Sequence, residues 1–315
     1  MFTITLAIAP IFVLIATGYG LRRAGLPSAE FWNLNDRLVY LVLMPAIFFD
    51  SISTADLGAA ALGGFSALLY AGFFVGIIAG LIGAGLMRHH GRAAGSSLVQ
   101  GAGRFNTFIA LAVAGALYGP EGLELAILGA AILVPVVNLT VVTTLVLMLP
   151  QERGTGIGGQ ITATLKNLAK NPLILSIAAA MAWNLAGLPR VPVFHDSLEI
   201  LGQAALPIML LCVGANLKLR GLSAEAGPLF LAAIAKLGLF PAAIMGLALI
   251  LDVPPLQAQI ALTFGALPTG VAAYTLARQM GGDAPLMAAM ITVQTLLSFA
   301  TMPLWLSLGE RVFGL

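Results

Sequence analysis

The sequence predicts an all-α integral membrane protein, with ten transmembrane helices arranged as two inverted five-helix repeats. Three observations carry that expectation. The 315 residues are 59% hydrophobic and only 9% charged, with a mean hydropathy of +1.00. Soluble domains carry about 25% charged residues, so too little polar surface remains to wet a soluble enzyme, a nucleic-acid binder or a disordered chain. Apolar stretches able to cross about 30 Å of hydrocarbon at 1.5 Å per residue recur along the whole length. The punctuation of the first half also returns in the second half at one constant offset. The lipid bilayer is therefore the expected surrounding, and no nucleic-acid partner is expected. The net charge of +2 and pI near 8.9 reflect loop residues, and the lone Cys212 allows no intrachain disulfide.

Taken in order, the first span covers 3–21. No basic segment opens it and no A-x-A site precedes Arg22, so it reads as a span rather than a cleavable leader. The second covers 31–52 and holds Pro45, a kink by type, and Asp50 near its end. The third (62–87) is apolar and glycine-rich, the fourth (94–118) centres on Asn106, and the fifth (123–148) carries Asn138. A short cytoplasmic linker at 151–167 separates the first repeat (1–150) from the second (168–315). The sixth span (168–187) opens at Asn171-Pro172, and the seventh (196–216) holds Pro207. The eighth (227–251) holds Lys236 and Pro241. The ninth (257–280) centres on Pro268, and the tenth (284–309) carries Gln294 and Ser298.

Loops after odd-numbered spans hold Arg22, Arg23, Arg88, Arg92, Arg153, Lys166, Lys170, Lys218, Arg220 and, marginally, Arg278. Loops after even-numbered spans hold Arg190, with Asp56, Glu121 and Asp252 lacking basic neighbours, and the C-terminal tail adds Arg311. Basic loops stay in the cytoplasm, which puts both termini on the non-cytoplasmic side.

The repeat offset is 172 − 10 = 162 residues: Pro10 answers to Pro172. Ala24-Gly25-Leu26-Pro27 then answers to Ala186-Gly187-Leu188-Pro189. Pro45 meets Pro207, Gly76 meets Gly238, Gly103 meets Gly265, Thr107 meets Thr269 and Gly119 meets Gly281, without a gap. Five spans per unit is an odd number, so the second unit inserts upside down. Inverted repeats of this kind mark secondary transporters, with the site near the midplane where the repeats meet.

Asn106 and Pro268 are repeat mates and lie at the centres of their spans. Proline lacks the N–H and clashes with the preceding turn, yet suits the start of a new helix. Asparagine is a strong N-cap, and Gly101 and Gly103 loosen the chain before it. Spans four and nine therefore read as paired half-helices, the second halves starting near Asn106-Thr107 and Pro268-Thr269. Their N-termini would aim free N–H groups and positive dipole ends at the midplane, where a carboxylate fits. An ordinary proline or glycine kink is the alternative for either motif alone.

These motifs bring out a family resemblance. GRFNTFIALAVAGALYG, the NPLIL at Asn171-Pro172, the run from AGLP to LGQAALPIMLLCVGANL ending at Leu217, and LTFGALPTGVAAYTLARQMGG resemble bacterial members of the auxin efflux carrier family. That family also includes malate and malonate permease-like proteins, and the likeness covers essentially the whole chain. It implies ten spans with crossing broken helices four and nine. It also implies a scaffold of spans one, two, six and seven beside a transport domain of spans three to five and eight to ten. An elevator-like alternating-access movement, a bacterial inner (plasma) membrane location and a homodimer through the scaffold follow from the same likeness. The chain departs from plant relatives in lacking a long hydrophilic loop between spans five and six.

Polar residues at membrane depth are costly and need reasons. Arg104, two residues before the break, could supply a charge-assisted bond to a carboxylate or bond unwound carbonyls. Lys236 reads equally as a snorkelling cation and as a gating or structural charge at the crossing. Asp50 reads as a scaffold-side substrate contact or an interfacial cap. Asn138, Gln294 and Ser298 could meet substrate, a cation or broken backbone; the likeness ranks Asn138 first. With Asn106, Thr107, Pro268 and Thr269 they form the candidate substrate-binding set. His89, His90 and His195 fall at loops without metal-ligand spacing, so neither metal nor cofactor is expected.

The function indicated is secondary transport of small organic anions, carboxylates or indole-type acids, not catalysis. Spans four, five, nine and ten hold no midplane acid, Glu124 and Asp283 lying near their ends. Sodium coupling of the bile-acid carrier type, proton coupling through Asp50 and potential-driven uniport all stay open. A non-transporting membrane sensor is the alternative from another class.

Overall fold

The computed structural model describes the chain except residues 56–58, 150–158, 160, 161, 163–165, 167, 168 and 219–225. Arg153 and most of the 151–167 linker, Asp56 and Arg220 lie outside the described residues. Among those described, every regular element is helical and no strand occurs. Seven helical stretches are long and apolar enough to cross a bilayer. The molecule is an integral membrane protein.

Helix α1 (Phe2–Arg23) ends in Arg22 and Arg23, cations suited to the negative end of a helix. Helix α2 (Ala29–Leu38) is capped by Ser28, whose Oγ accepts from the Phe31 N–H at 3.1 Å. It runs through a π turn (Val39–Leu43) into α3 (Met44–Thr54). Helix α4 (Ala59–Leu86) is followed by a tight turn (Arg88–His90) and α5 (Gly91–Gly103). Helix α6 (Thr107–Met148) bends sharply at Gly119, where φ is +63° just before Pro120. Helices α7 (Pro172–Leu185) and α8 (Phe194–Ala215) come next. Helix α9 (Ala226–Ile234) passes through a second π turn (Ala235–Leu239) into α10 (Phe240–Ala248). The chain closes with α11 (Pro255–Ala266), α12 (Ala272–Met280) and α13 (Ala284–Phe313).

Both π turns end two residues before a proline, Pro45 and Pro241. A proline cannot donate to the carbonyl four residues back, and the ladder widens by one residue there. The Leu237 carbonyl, left without its donor by Pro241, accepts from Trp305 Nε1 at 2.8 Å.

Two element bounds differ from the sequence expectation. The sixth stretch is the 14-residue α7, not 168–187. Asn171 caps it, Oδ1 accepting from the Leu173 N–H at 2.9 Å, and Pro172 cannot extend it backwards. His195 is not in a loop but in the first turn of α8, fully buried, with Nε2 3.3 Å from Ser53 Oγ.

Helix α1 lies along α8, and α3 along α7. The first pair is backbone-close: a Cβ on Gly214 would collide with the Ile15 carbonyl oxygen, and one on Gly18 with that of Leu211. In the second pair, Asn184 Nδ2 donates to the carbonyls of Ile52, Ser53 and Ala55 at 3.0, 3.2 and 2.7 Å, closing the end of α3. Gly214→Leu should force α1 from α8, and overpacking of this kind costs about 1–3 kcal/mol. The expected result is a lower midpoint of thermal unfolding in detergent; an unchanged midpoint would contradict the contact.

Candidate functional site

The interruptions in the α5–α6 and α11–α12 stretches face each other. Helix α5 ends at Gly103 and α6 begins at Thr107; α11 ends at Ala266 and α12 begins at Ala272. The Asn106 N–H donates to the Pro268 carbonyl at 2.9 Å. Gly270 lies against Phe105, whose carbonyl oxygen would sit 2.6 Å from any Cβ placed on that glycine.

Side chains hold the unwound backbone. Asn106 Oδ1 accepts from the N–H groups of Phe108 (3.1 Å) and Ile109 (3.3 Å), capping α6. Gln294 of α13 accepts the Thr269 N–H on Oε1 at 3.0 Å and donates Nε2 to the Gly101 carbonyl at 2.8 Å. Thr269 Oγ1 donates to that same carbonyl at 2.8 Å. Lys236 Nζ donates to the carbonyls of Phe264 and Gly265, both at 3.2 Å, and lies 3.4 Å from the centre of the Phe240 ring. The open carbonyl ends of α5 and α11, each the negative end of a helix, are thus met by different groups. Thr269 and Gln294 meet the first, and an ammonium meets the second.

Two expectations need correction. The second half-helix restarts at Ala272, not at Pro268-Thr269. The reason is that the Thr269 N–H and hydroxyl are committed to Gln294 and Gly101, and Gly270 is pressed on Phe105, so the segment stays extended. Lys236 does not snorkel: its side chain is fully buried on α11 carbonyls. Asp50 lines neither cavity at the crossing. Its backbone carbonyl receives the hydroxyls of Ser53 and Thr54 near the end of α3.

A cavity of about 190 Å³ sits at the crossing. Arg104, Asn106, Thr107, Asn138, Asn171, Val271 and Ala272 supply its polar atoms and helix first turns, with Phe105, Phe108, Val134 and Val137 as apolar wall. Among the described residues that line it, Arg104 is the only charged one. Arg104 Nη2 donates to Asn138 Oδ1 at 2.9 Å, and Asn138 Nδ2 donates to the Val134 carbonyl at 2.9 Å. Nη1 is buried without a hydrogen-bond partner among the described residues. A guanidinium whose side-chain partner is a neutral amide keeps its charge uncompensated, and that is expensive away from water. The arrangement can accept an anion on Nη1 beside the N-termini of α6 and α12, whose positive dipole ends favour it, although the Phe108, Ile109, Ala273 and Tyr274 N–H groups are already taken within the protein.

The structure thus brings Arg104, Asn106, Thr107 and Asn138 to one cavity and puts Pro268, Thr269 and Gln294 in the framework behind it. Ser298 donates to the Thr295 carbonyl at 2.8 Å within α13. Gly270, Tyr40 and Asn171 belong to this region as well and carry no sequence signal of a binding role. Gly270, directly after Pro268-Thr269, was legible at most as turn chemistry. Among the described residues no three His, Cys, Asp or Glu side chains gather where they could hold a metal.

Residues 159–306 match the family described as "Membrane transport protein". The chain is 25% identical over 307 residues to an "Uncharacterized transporter" of Methanothermobacter thermautotrophicus, covering 96% of this chain and 97% of that one. It is 29% identical over 313 residues to a "Putative malonate transporter" of Rhizobium meliloti, covering 96% and 94%.

Proposed function

We propose that the chain is a membrane transporter of the auxin efflux carrier family, as its family match and relatives support, and that it carries small carboxylate anions through the crossing of its two broken helices. The observation that carries this reading is Arg104, whose buried Nη1 has no partner in a cavity walled by the first turns of α6 and α12. A carboxylate there compensates the guanidinium and takes two fork-spaced donors at once. Asn106 caps α6 and keeps its first turn at the cavity, while Thr269 and Gln294 hold the opposing backbone in place. One relative is named for malonate, and a short dicarboxylate is the first substrate to try.

The carrier works as two inverted five-helix repeats, with α1–α3, α7 and α8 as scaffold and the remaining helices as the part that moves. Support comes from the 162-residue offset, which relates α1 to α7, α3 to α8, α5 to α11 and the second arm of α6 to α13. It also pairs glycines of like backbone: Gly25 with Gly187 (φ +77° and +64°), and Gly119 with Gly281 (φ +63° and +78°). The basic loops favour the cytoplasmic face for the ends holding Arg22, Arg88 and Lys218, with both termini outside.

Asn106→Ala removes two cap bonds, and Thr269→Ala frees the Gly101 carbonyl from one donor. Either variant should lower malonate flux into proteoliposomes by at least tenfold at equal protein content. Full flux in both would count decisively against the crossing as the site.

A further inference from the structure

A second and larger cavity, about 660 Å³, adjoins the crossing cavity and shares Tyr40, Arg104, Phe108 and Asn138 with it. Lys218, just after α8, Gln279 in the last turn of α12 and Arg37 of α2 line it as well. Three cationic side chains therefore share this wall with one carboxylate, Asp36. That carboxylate is already engaged, both oxygens accepting from Asn216 Nδ2 at 3.2 and 3.0 Å. Among the described residues neither Arg37 nor Lys218 has an ion-pair partner; the pairs found there join Arg190 to Asp196 and Glu199. The Lys218 ammonium instead rests 4.0 Å from the centre of the Tyr274 ring, and its backbone N–H donates to Thr292 Oγ1 at 3.1 Å. The backbone position is thus anchored while the charge stays available to the cavity.

We propose that Lys218 and Arg37 form a second anion station in this vestibule, which captures the carboxylate of an arriving substrate before Arg104 receives it. The inference rests on the carboxylate-carrier reading above and deepens it. A low-dielectric funnel lined by one sign of charge concentrates the opposite ion and accelerates its arrival by about 10- to 1000-fold, an effect that salt screens. Lys218 is exposed and lines only the larger cavity, whereas Arg104 lines both and so stands at their junction. An anion entering the vestibule finds the exposed Lys218 ammonium resting on Tyr274, a contact it can exchange without leaving a buried charge alone. Arg37 belongs to α2 on the scaffold side of the proposed division and Arg104 to the moving part, while Lys218 lies in the link after α8 with both its contacts, Thr292 and Tyr274, on the moving part, so a carboxylate handed to Arg104 leaves Arg37 behind when that part moves.

The test uses the full chain in proteoliposomes with malonate as probe. The double variant Arg37→Gln/Lys218→Gln alters exposed positions and should keep the wild-type thermal midpoint. Its KM for malonate should rise about tenfold, and the increase of KM with added salt seen in wild type should disappear. Lys218→Arg with Arg37 intact should keep both wild-type properties. Wild-type KM and salt response in the double variant, with malonate transported normally, would overturn the station and leave the central site standing. A wild-type protein that neither moves malonate nor is thermally stabilised by it would overturn the parent reading, and the station with it. A variant whose flux is lost at every malonate concentration would also contradict a capture role, since capture acts on arrival and saturating substrate restores it.

Discussion

Arg104→Gln is expected to abolish carboxylate transport while leaving the protein at least as stable as wild type. The two effects separate because Nη1 has no partner in the fold and Nη2 bonds a neutral amide. Removing the charge deletes no ion pair and relieves the cost of an uncompensated buried guanidinium. A carboxylate loses a charge-assisted bond worth about 1.5–3 kcal/mol, or roughly 10- to 100-fold in affinity. Arg104→Lys should recover part of the flux, because an ammonium restores charge without the planar fork. Malonate flux and thermal unfolding, measured on one preparation, decide the matter. A Gln variant that transports normally would remove Arg104 from the site, and one that fails to fold would assign it a structural role.

Lys236→Met is expected to do the opposite, collapsing stability first. Two buried carbonyls, those of Phe264 and Gly265, lose their shared donor, and the contact with the Phe240 ring goes with it. Each buried acceptor left unsatisfied costs about 1–3 kcal/mol, so the variant should unfold several degrees lower or fail to accumulate. The same geometry bears on coupling. The ammonium occupies the negative end of α11, where a bound metal cation would otherwise find carbonyl ligands. Malonate flux in the wild-type protein should therefore be unchanged when potassium replaces sodium on both sides. A strict sodium requirement would show that a separate cation site exists and that Lys236 is purely structural.

Much of this was legible in the residues because the signals are local. Nine per cent charge admits only a membrane interior, and Pro45 and Pro241 disturb their helices through a missing N–H that any neighbour-by-neighbour reading can see. Asn106 announces a cap through its own side chain, and the interruption lies immediately before it. The same logic failed at Pro268. A proline is a good first helical residue, yet the helix restarts four residues later, because Thr269 bonds a carbonyl 168 residues away and Gln294 claims its N–H from another helix. Ser298 and Asn138 both read as polar groups near the midplane, and only the family likeness ranked Asn138 first. Depth alone does not say which way a helix face turns, and only Asn138 turns to Arg104.

The amino-acid order by itself determined that the chain is an all-helical membrane protein and where its backbone is weakest. Hydrophobic length, proline geometry and side-chain capping act within a few residues of their origin. Only the tertiary structure decided what the two buried cations do. Lys236 is spent on the end of α11 and Arg104 is left with an unpartnered Nη1 facing a cavity. The physical reason is that a charge at membrane depth takes its meaning from whether a partner reaches it, and those partners come from segments distant in the chain.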